Sequence, residues 1–266
     1  SELKGIKNGE TVTLKKLMKH VVESGQITIV PSHFIKTYYH WIDNLRDWCI
    51  SRQIWYGHQI PVWYKRGQSM TLTGVAGGEQ TYVGVEPPKD GGWEQDPDTL
   101  DTWFSSGLWT FSTLGWPKET DDFKTYHPTN IMETGYDILF FWVARMILMS
   151  TVLLGQIPFH SVFLHGLIRD AERQKMSKSK GNVIDPLDMI EKYGIDALRI
   201  ALIFSTAAGN DIPLSEDKIR GMKFFSNKLW NMARFIEMKK PEARSQKPEA
   251  DLTELSKLAT NDVDKK

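Results

Sequence analysis

Apolar residues recur every three or four positions over residues 10–24, where Leu14, Leu17, Met18 and Val21 share one face, so the spacing predicts an amphipathic helix. Gly25 ends it, and residues 27–30 before Pro31 read as a short extended run. Residues 34–50 return to helical spacing with large rings and aliphatics at Phe34, Tyr38, Trp41, Leu45 and Trp48. Over 66–98 both periods disappear, and Gly, Thr, Asp and Pro dominate, which predicts a small hairpin or irregular insertion. An apolar, aromatic stretch follows over 100–116 and closes at Trp116-Pro117.

From residue 130 the pattern alternates. A strand is expected at 130–133, a buried helix at 137–154, a second strand at 161–168 and a basic loop at 169–180. Asp185 then caps a helix whose first turn holds Pro186, and Gly194 ends it before another helix to about residue 204. Strand, helix, strand in that order predicts an α/β fold of parallel strands with crossover helices. Ser215 is the expected N-cap of a longer helix to about residue 238, with Ile219, Met222, Phe225, Leu229, Met232 and Phe235 on one stripe and the basic residues Lys218, Arg220, Lys223, Lys228 and Arg234 mostly off it. Past Pro241 the chain turns polar, and no internal repeat is present.

Composition narrows the class. The 266 residues are 41% hydrophobic and 25% charged, as in a soluble globular protein. Formal net charge is zero, so any contact with RNA would come from local patches. The single cysteine, Cys49, excludes an internal disulfide, argues against a structural zinc site and fits a reducing, cytoplasmic setting. The first residues lack the apolar core of a secretory signal. Residues 138–154 are apolar enough to imitate a membrane span, but Arg145 in the middle would cost about 2.5–3.5 kcal/mol there, and a buried helix of an α/β fold is the expected reading.

Chemistry concentrates at Lys175-Met176-Ser177-Lys178-Ser179, continued by Lys180-Gly181-Asn182. Between Arg169 and Lys180 five basic residues face two acidic ones, on a loop able to close over a polyphosphate. Ammonium groups act on phosphate as mobile point charges, and hydroxyls and backbone N–H groups add hydrogen bonds. Two further elements sit where open α/β sheets bind ligands, outside the carboxyl ends of strands. They are Thr134-Gly135-Tyr136-Asp137 and His165-Gly166. Taken alone, Asp137 reads more readily as a helix cap and His165 as a packing residue.

Together these strings resemble the class I aminoacyl-tRNA synthetases, whose KMSKS motif, Gly-x-Asp element and His-Gly dipeptide they match in order and context. The resemblance implies ATP, with Mg²⁺, as ligand and tRNA as partner. It implies Lys178 and Lys175 as catalytic cations that neutralise the departing pyrophosphate, an effect larger in the transition state than in the ground state. It further implies an ATP-binding set of Lys175, Ser177, Lys178, Gly135, Asp137, His165 and Gly166, and no protein-bound metal. The strings at 51–64, 101–117 and 132–147 are similar to the valyl branch more than to the isoleucyl and leucyl branches, which implies valine and tRNA(Val) as partners and Trp103 and Ile138 as walls of the amino-acid pocket. Along the chain, the resemblance implies the exit of an editing insertion over 1–40 and a connective part over 41–118. It implies the second half of a Rossmann-type catalytic fold over 119–207, and the start of a helical anticodon-binding domain over 208–266. No His-x-Gly-His motif occurs. Negligible amino-acid activation by this chain alone is therefore expected. The alternatives are an isoleucyl or leucyl synthetase piece, and a noncatalytic module that binds tRNA or a partner.

Overall fold

The computed structural model describes residue 3 and residues 10–65, 80–204 and 206–239. The chain divides into two compact units, one of Ser1–Arg169 with Thr206–Ile212, the other of Asp170–Ser205 with Pro213–Lys266. Where the sequence suggested one segment over 119–207, the break falls at residue 170 and a short return segment rejoins the first unit.

The first unit opens with α1 (Leu14–Glu23), capped by the Thr13 hydroxyl accepting from the Lys16 amide at 3.2 Å. The helix thus starts later than the periodicity suggested. It buries Leu17, Met18, Val21 and Val22, while Leu14 stays exposed. After β1 (Thr28–Val30) comes α2 (Phe34–Asp43), which stops well short of residue 50. The Asn44 amide group donates to the His40 carbonyl at 2.8 Å and ends the helix, leaving Leu45 and Trp48 on a non-helical path. Two small antiparallel sheets follow. One pairs β2 (Ser51–Arg52) with β6 (Thr99–Leu100), and the other sets β3 (Val62–Lys65) between β4 (Thr81–Val83) and β5 (Trp93–Gln95). The expected irregular insertion is, in its described part, this second sheet; residues 66–79 lie outside the described residues.

Short helices α3 (Thr102–Gly107), α4 (Trp109–Ser112) and α5 (Asp121–Tyr126) lead to the parallel layer. There β7 (Thr129–Gly135) and β8 (Phe159–His165) run parallel, and β1 joins on the far side of β8, giving the order β1-β8-β7. The crossover is not one uniform α-helix. It begins as a tight 3-10 turn (Tyr136–Ile138), widens into π-type turns (Leu139–Ala144) and becomes α6 (Arg145–Leu153). This is the apolar segment that imitates a membrane span. Its Leu139, Val143, Met146 and Ile147 face are buried against Ile29, Phe159, Val162 and Leu164 in one core, each contributing about 1.5–3 kcal/mol.

In the second unit, Asp185 caps α7 (Pro186–Tyr193) by accepting from the Leu187 amide at 2.8 Å. Gly194, at φ 90°, turns the chain into α8 (Ile195–Ile203), and the Ser215 hydroxyl caps α9 (Glu216–Met238). Ala197, Leu198, Ala201, Leu214 and Ile219 form a separate core. The apolar stripe expected on α9 is buried only at its start. Among the described residues packing reaches Phe225, whose ring meets Phe204 at 5.7 Å, while Leu229, Met232 and Phe235 are exposed.

Candidate active site

Parallel pairing places Gly135 beside His165 at the carboxyl ends of β7 and β8. A Cβ at Gly135 would stand 2.7 Å from the Asp137 carboxylate and 3.5 Å from the His165 ring, so the absent side chain is what lets that carboxylate fold back over the strand end. Asp137 is exposed and does not cap the helix that follows, so its anticipated capping alternative is not what the structure holds. Among the described residues it has no hydrogen-bond partner, which leaves two acceptor oxygens open to a ligand's hydroxyl groups. His165 is half-exposed, with Nδ1 2.8 Å from the Gly166 carbonyl oxygen and Nε2 3.4 Å from the Glu133 carboxylate. The structure therefore brings Gly135, Asp137 and His165 to one place.

Gly166 has a different reason to be glycine. A Cβ there would lie 1.8 Å from the Asn210 carbonyl oxygen, so the return segment 206–212 needs the bare backbone to pass. Asp211 secures that segment. It accepts from the Leu167 amide at 2.8 Å, from the Tyr136 hydroxyl at 3.1 Å and from the Arg169 guanidinium. Partial burial pushes the Asp211 carboxyl up, but those three donors together outweigh it and hold it below the usual carboxylate range. The same contact, with help from Tyr136, raises the Arg169 guanidinium further. One carboxylate thus ties the residue after Gly135 to the residue after Gly166. Tyr136 also stacks on Phe34 at 5.4 Å.

Trp103 sits on α3, which packs against the widened turns and α6, and Ile138 directly precedes those turns in sequence. Trp103 is half-buried and stacks on Phe141 at 5.8 Å; Ile138, also half-buried, closes the 3-10 turn. Nearby, Trp142 donates to the Ser106 carbonyl at 3.0 Å. Behind Trp103, Asp101 accepts from the Trp48 indole at 2.9 Å and the Arg52 guanidinium at 2.7 Å, and Arg145 lies over Trp48 at 3.9 Å. A cavity of about 610 Å³ opens between Trp41, Trp48, Phe140 and Arg145, and neither Trp103 nor Ile138 lines it.

In the second unit, Lys175, Lys178 and Lys180 are exposed, and Lys178–Lys180 forms a single 3-10 turn closed by Gly181 at φ 67°. Ser177 is half-buried, with its hydroxyl 3.2 Å from that of Ser179. The loop is organised from below: the Asn182 side chain accepts from the Ser177 amide at 2.9 Å and donates to Asp170 at 2.7 Å. Asn182 is the first cause of an Asp170 carboxyl held below its ordinary value. Such a surface offers several cations and hydroxyls to an anion, and among the described residues no carboxylate is hydrogen-bonded to the Lys175 or Lys178 ammonium groups. Among the described residues no three His, Cys, Asp or Glu side chains converge as a metal site.

The profile of the family described as tRNA synthetases class I (I, L, M and V) matches residues 9–215. The chain belongs to that family. Similar class I synthetases include the valine–tRNA ligase of Dehalococcoides mccartyi (strain CBDB1), 53% identical over 244 residues, covering 90% of this chain and 27% of the relative. The valine–tRNA ligase of Solibacter usitatus (strain Ellin6076) is 52% identical over 224 residues, covering 82% of this chain and 25% of the relative. The chain thus spans about a quarter of the length of these valine–tRNA ligases. Among solved class I structures, methionyl-tRNA synthetase of Mycobacterium tuberculosis in complex with methionyl-adenylate aligns with TM-score 0.57 at 22% identity, over 77% of this chain and 34% of that one. This likeness concerns the fold, a class I catalytic domain with a parallel sheet and helices.

The sequence does not reveal Asp211, Arg169 and Tyr136 as a unit, and in it Asn182 is visible only as the end of the lysine-serine string. Asp211 sits in Ala-Ala-Gly-Asn-Asp-Ile-Pro, where a turn residue is the natural reading; no local signal points to partners just past the ends of β7 and β8.

Proposed function

We propose that the natural protein carrying this chain is a valine–tRNA ligase, which activates valine with ATP and Mg²⁺ to valyl-adenylate and transfers the valyl group to tRNA(Val). The observation that carries the reading is 53% identity to a valine–tRNA ligase over 244 residues, a span that includes most of this chain. In this reading Asp137 accepts from the ribose hydroxyls, Gly135 gives the nucleoside access to backbone, and His165 and Gly166 border the base. Lys178, with Lys175 and Ser177, neutralises the charge that grows on the departing pyrophosphate. A preorganised cation gains more there than on ground-state ATP, which is how it raises the rate. Trp103 and Ile138 supply a bulky ring and a β-branched wall suited to a small branched side chain. The capped helix α9 begins a helical tRNA-binding part.

The exposed lysines of the 175–180 turn and the unclaimed Asp137 carboxylate support these roles. Amino-acid-dependent ATP–pyrophosphate exchange by the complete natural protein tests the reading. Exchange should be strongest with valine and weaker with isoleucine and leucine; a preference for either of the latter would replace valine as substrate. This chain alone, lacking His-x-Gly-His, should give negligible exchange.

A further inference from the structure

The basic loop is held by a side chain that carries no charge. Residues 170–174 form a tight turn in which the Asp170 amide donates to the Gln174 carbonyl at 3.0 Å and the Arg173 amide donates to the Asp170 carbonyl at 3.0 Å. One oxygen of the Asp170 carboxylate accepts from the Gln174 amide at 2.6 Å, which orients the carboxylate from the start of the loop. Its other oxygen accepts from the Asn182 side-chain amide at 2.7 Å. Asn182 is twelve residues further on, past the whole lysine-serine run. It also reaches back into that run: its carbonyl oxygen accepts from the Ser177 amide at 2.9 Å, and its NH₂ group lies 3.3 Å from the Lys175 carbonyl oxygen.

A carboxamide is suited to this task, because one planar group offers an acceptor and two donors at once. Aspartate at 182 would keep the acceptor for Ser177 but turn a carboxylate toward Asp170. Alanine would remove both ends. The bonds to Asn182 also leave the Lys175 and Lys178 ammonium groups unencumbered, since only backbone atoms of Lys175 and Ser177 are engaged.

We propose that Asn182 and Asp170 form a latch that sets the backbone of residues 175–177, making Asn182 a positioning residue for the phosphate-binding lysines. The proposal rests on the ATP-binding reading of this loop given above. The latch works through geometry: with Asn182 bonded at both ends, the Ser177 amide is fixed and the flanking lysines leave the loop at set positions. With the latch open, the same charges remain but are spread over many arrangements, so ATP binding bears the ordering cost.

A charge swap tests this in the complete natural protein. Asn182→Asp places two carboxylates face to face and should raise KM for ATP in valine-dependent exchange by about tenfold or more, the scale of one charge-assisted hydrogen bond, with KM for valine unchanged. Asp170→Asn combined with Asn182→Asp restores an amide facing a carboxylate with donor and acceptor exchanged, and should recover most of the lost ATP affinity. Amide hydrogen exchange at Ser177, read without any ligand, should be faster in Asn182→Asp and slow again in the double variant. If the double variant is no better than Asn182→Asp, or if Ser177 exchange is unaffected throughout, the latch is wrong. A wild-type protein with no valine-dependent exchange would instead overturn the functional reading, and the Ser177 measurement would still decide the latch.

Discussion

Asp211 shows how much one side chain can organise. Its carboxylate accepts from Leu167, Tyr136 and Arg169, which are 44, 75 and 42 positions away in sequence. Replacing it with alanine leaves a backbone N–H, a phenol and a guanidinium without their acceptor in a partly buried place. Asp211→Ala should therefore lower the unfolding free energy by about 1–3 kcal/mol in a urea titration, and a change within experimental scatter would mean that water replaces the carboxylate at no cost. None of this is visible in the sequence, because the three donors are chosen by the way strands pair and not by spacing along the chain. The motif glycines were legible as glycines, yet for different reasons than their neighbours in the chain suggest. Gly135 makes room for the Asp137 carboxylate, while Gly166 makes room for the Asn210 carbonyl. The ligand roles proposed for Lys175, Lys178, Asp137 and His165 came from residue type and motif order; the tie that holds the lysine loop came only from coordinates.

At the scale of elements, His127 links α4, α5 and α6. Its Nδ1 donates to the Thr110 carbonyl at 3.2 Å, its ring stacks on Phe123 at 5.2 Å, and Ser150 lies 3.5 Å from Nε2. Burial lowers its pKa below the ordinary 6.5, and the bond to Thr110 only partly opposes this. Above that ordinary value both folded and unfolded forms are neutral here. As pH falls below it, the unfolded chain takes up a proton that the folded one resists, so stability declines. The melting temperature should therefore fall between pH 7.5 and pH 5.5, and His127→Gln should show a shallower fall over the same range. Equal slopes would assign the pH dependence to other groups. Elements as such were well foreshadowed: α1, α2, β7, α6, β8, α7, α8 and α9 all lie within or close to the periodic segments. Their ends were not. Asn44 ends α2 through a local side-chain bond, and the crossover passes through 3-10 and π-type turns before its α-helix, a change that apolar spacing alone does not distinguish.

On the scale of the whole molecule, the alternation of strand and helix was enough to anticipate a parallel layer, because such strands must be joined by crossovers. The division into two units was less accessible. It depends on residues 206–212 rejoining the first unit, a return made possible by Gly166 and fixed by Asp211. The candidate chemistry is correspondingly distributed: Gly135, Asp137 and His165 belong to the first unit, and the Lys175–Lys178 turn to the second. The claim that joins them is chemical, namely that a positive side chain on the turn stabilises the pyrophosphate as it departs. Lys178→Ala in the complete natural protein tests it most directly. Valine-dependent ATP–pyrophosphate exchange should fall by about 10²–10³-fold, as when one preorganised electrostatic donor is removed, while valine binding changes little. Exchange within a few-fold of wild type would contradict that role for Lys178.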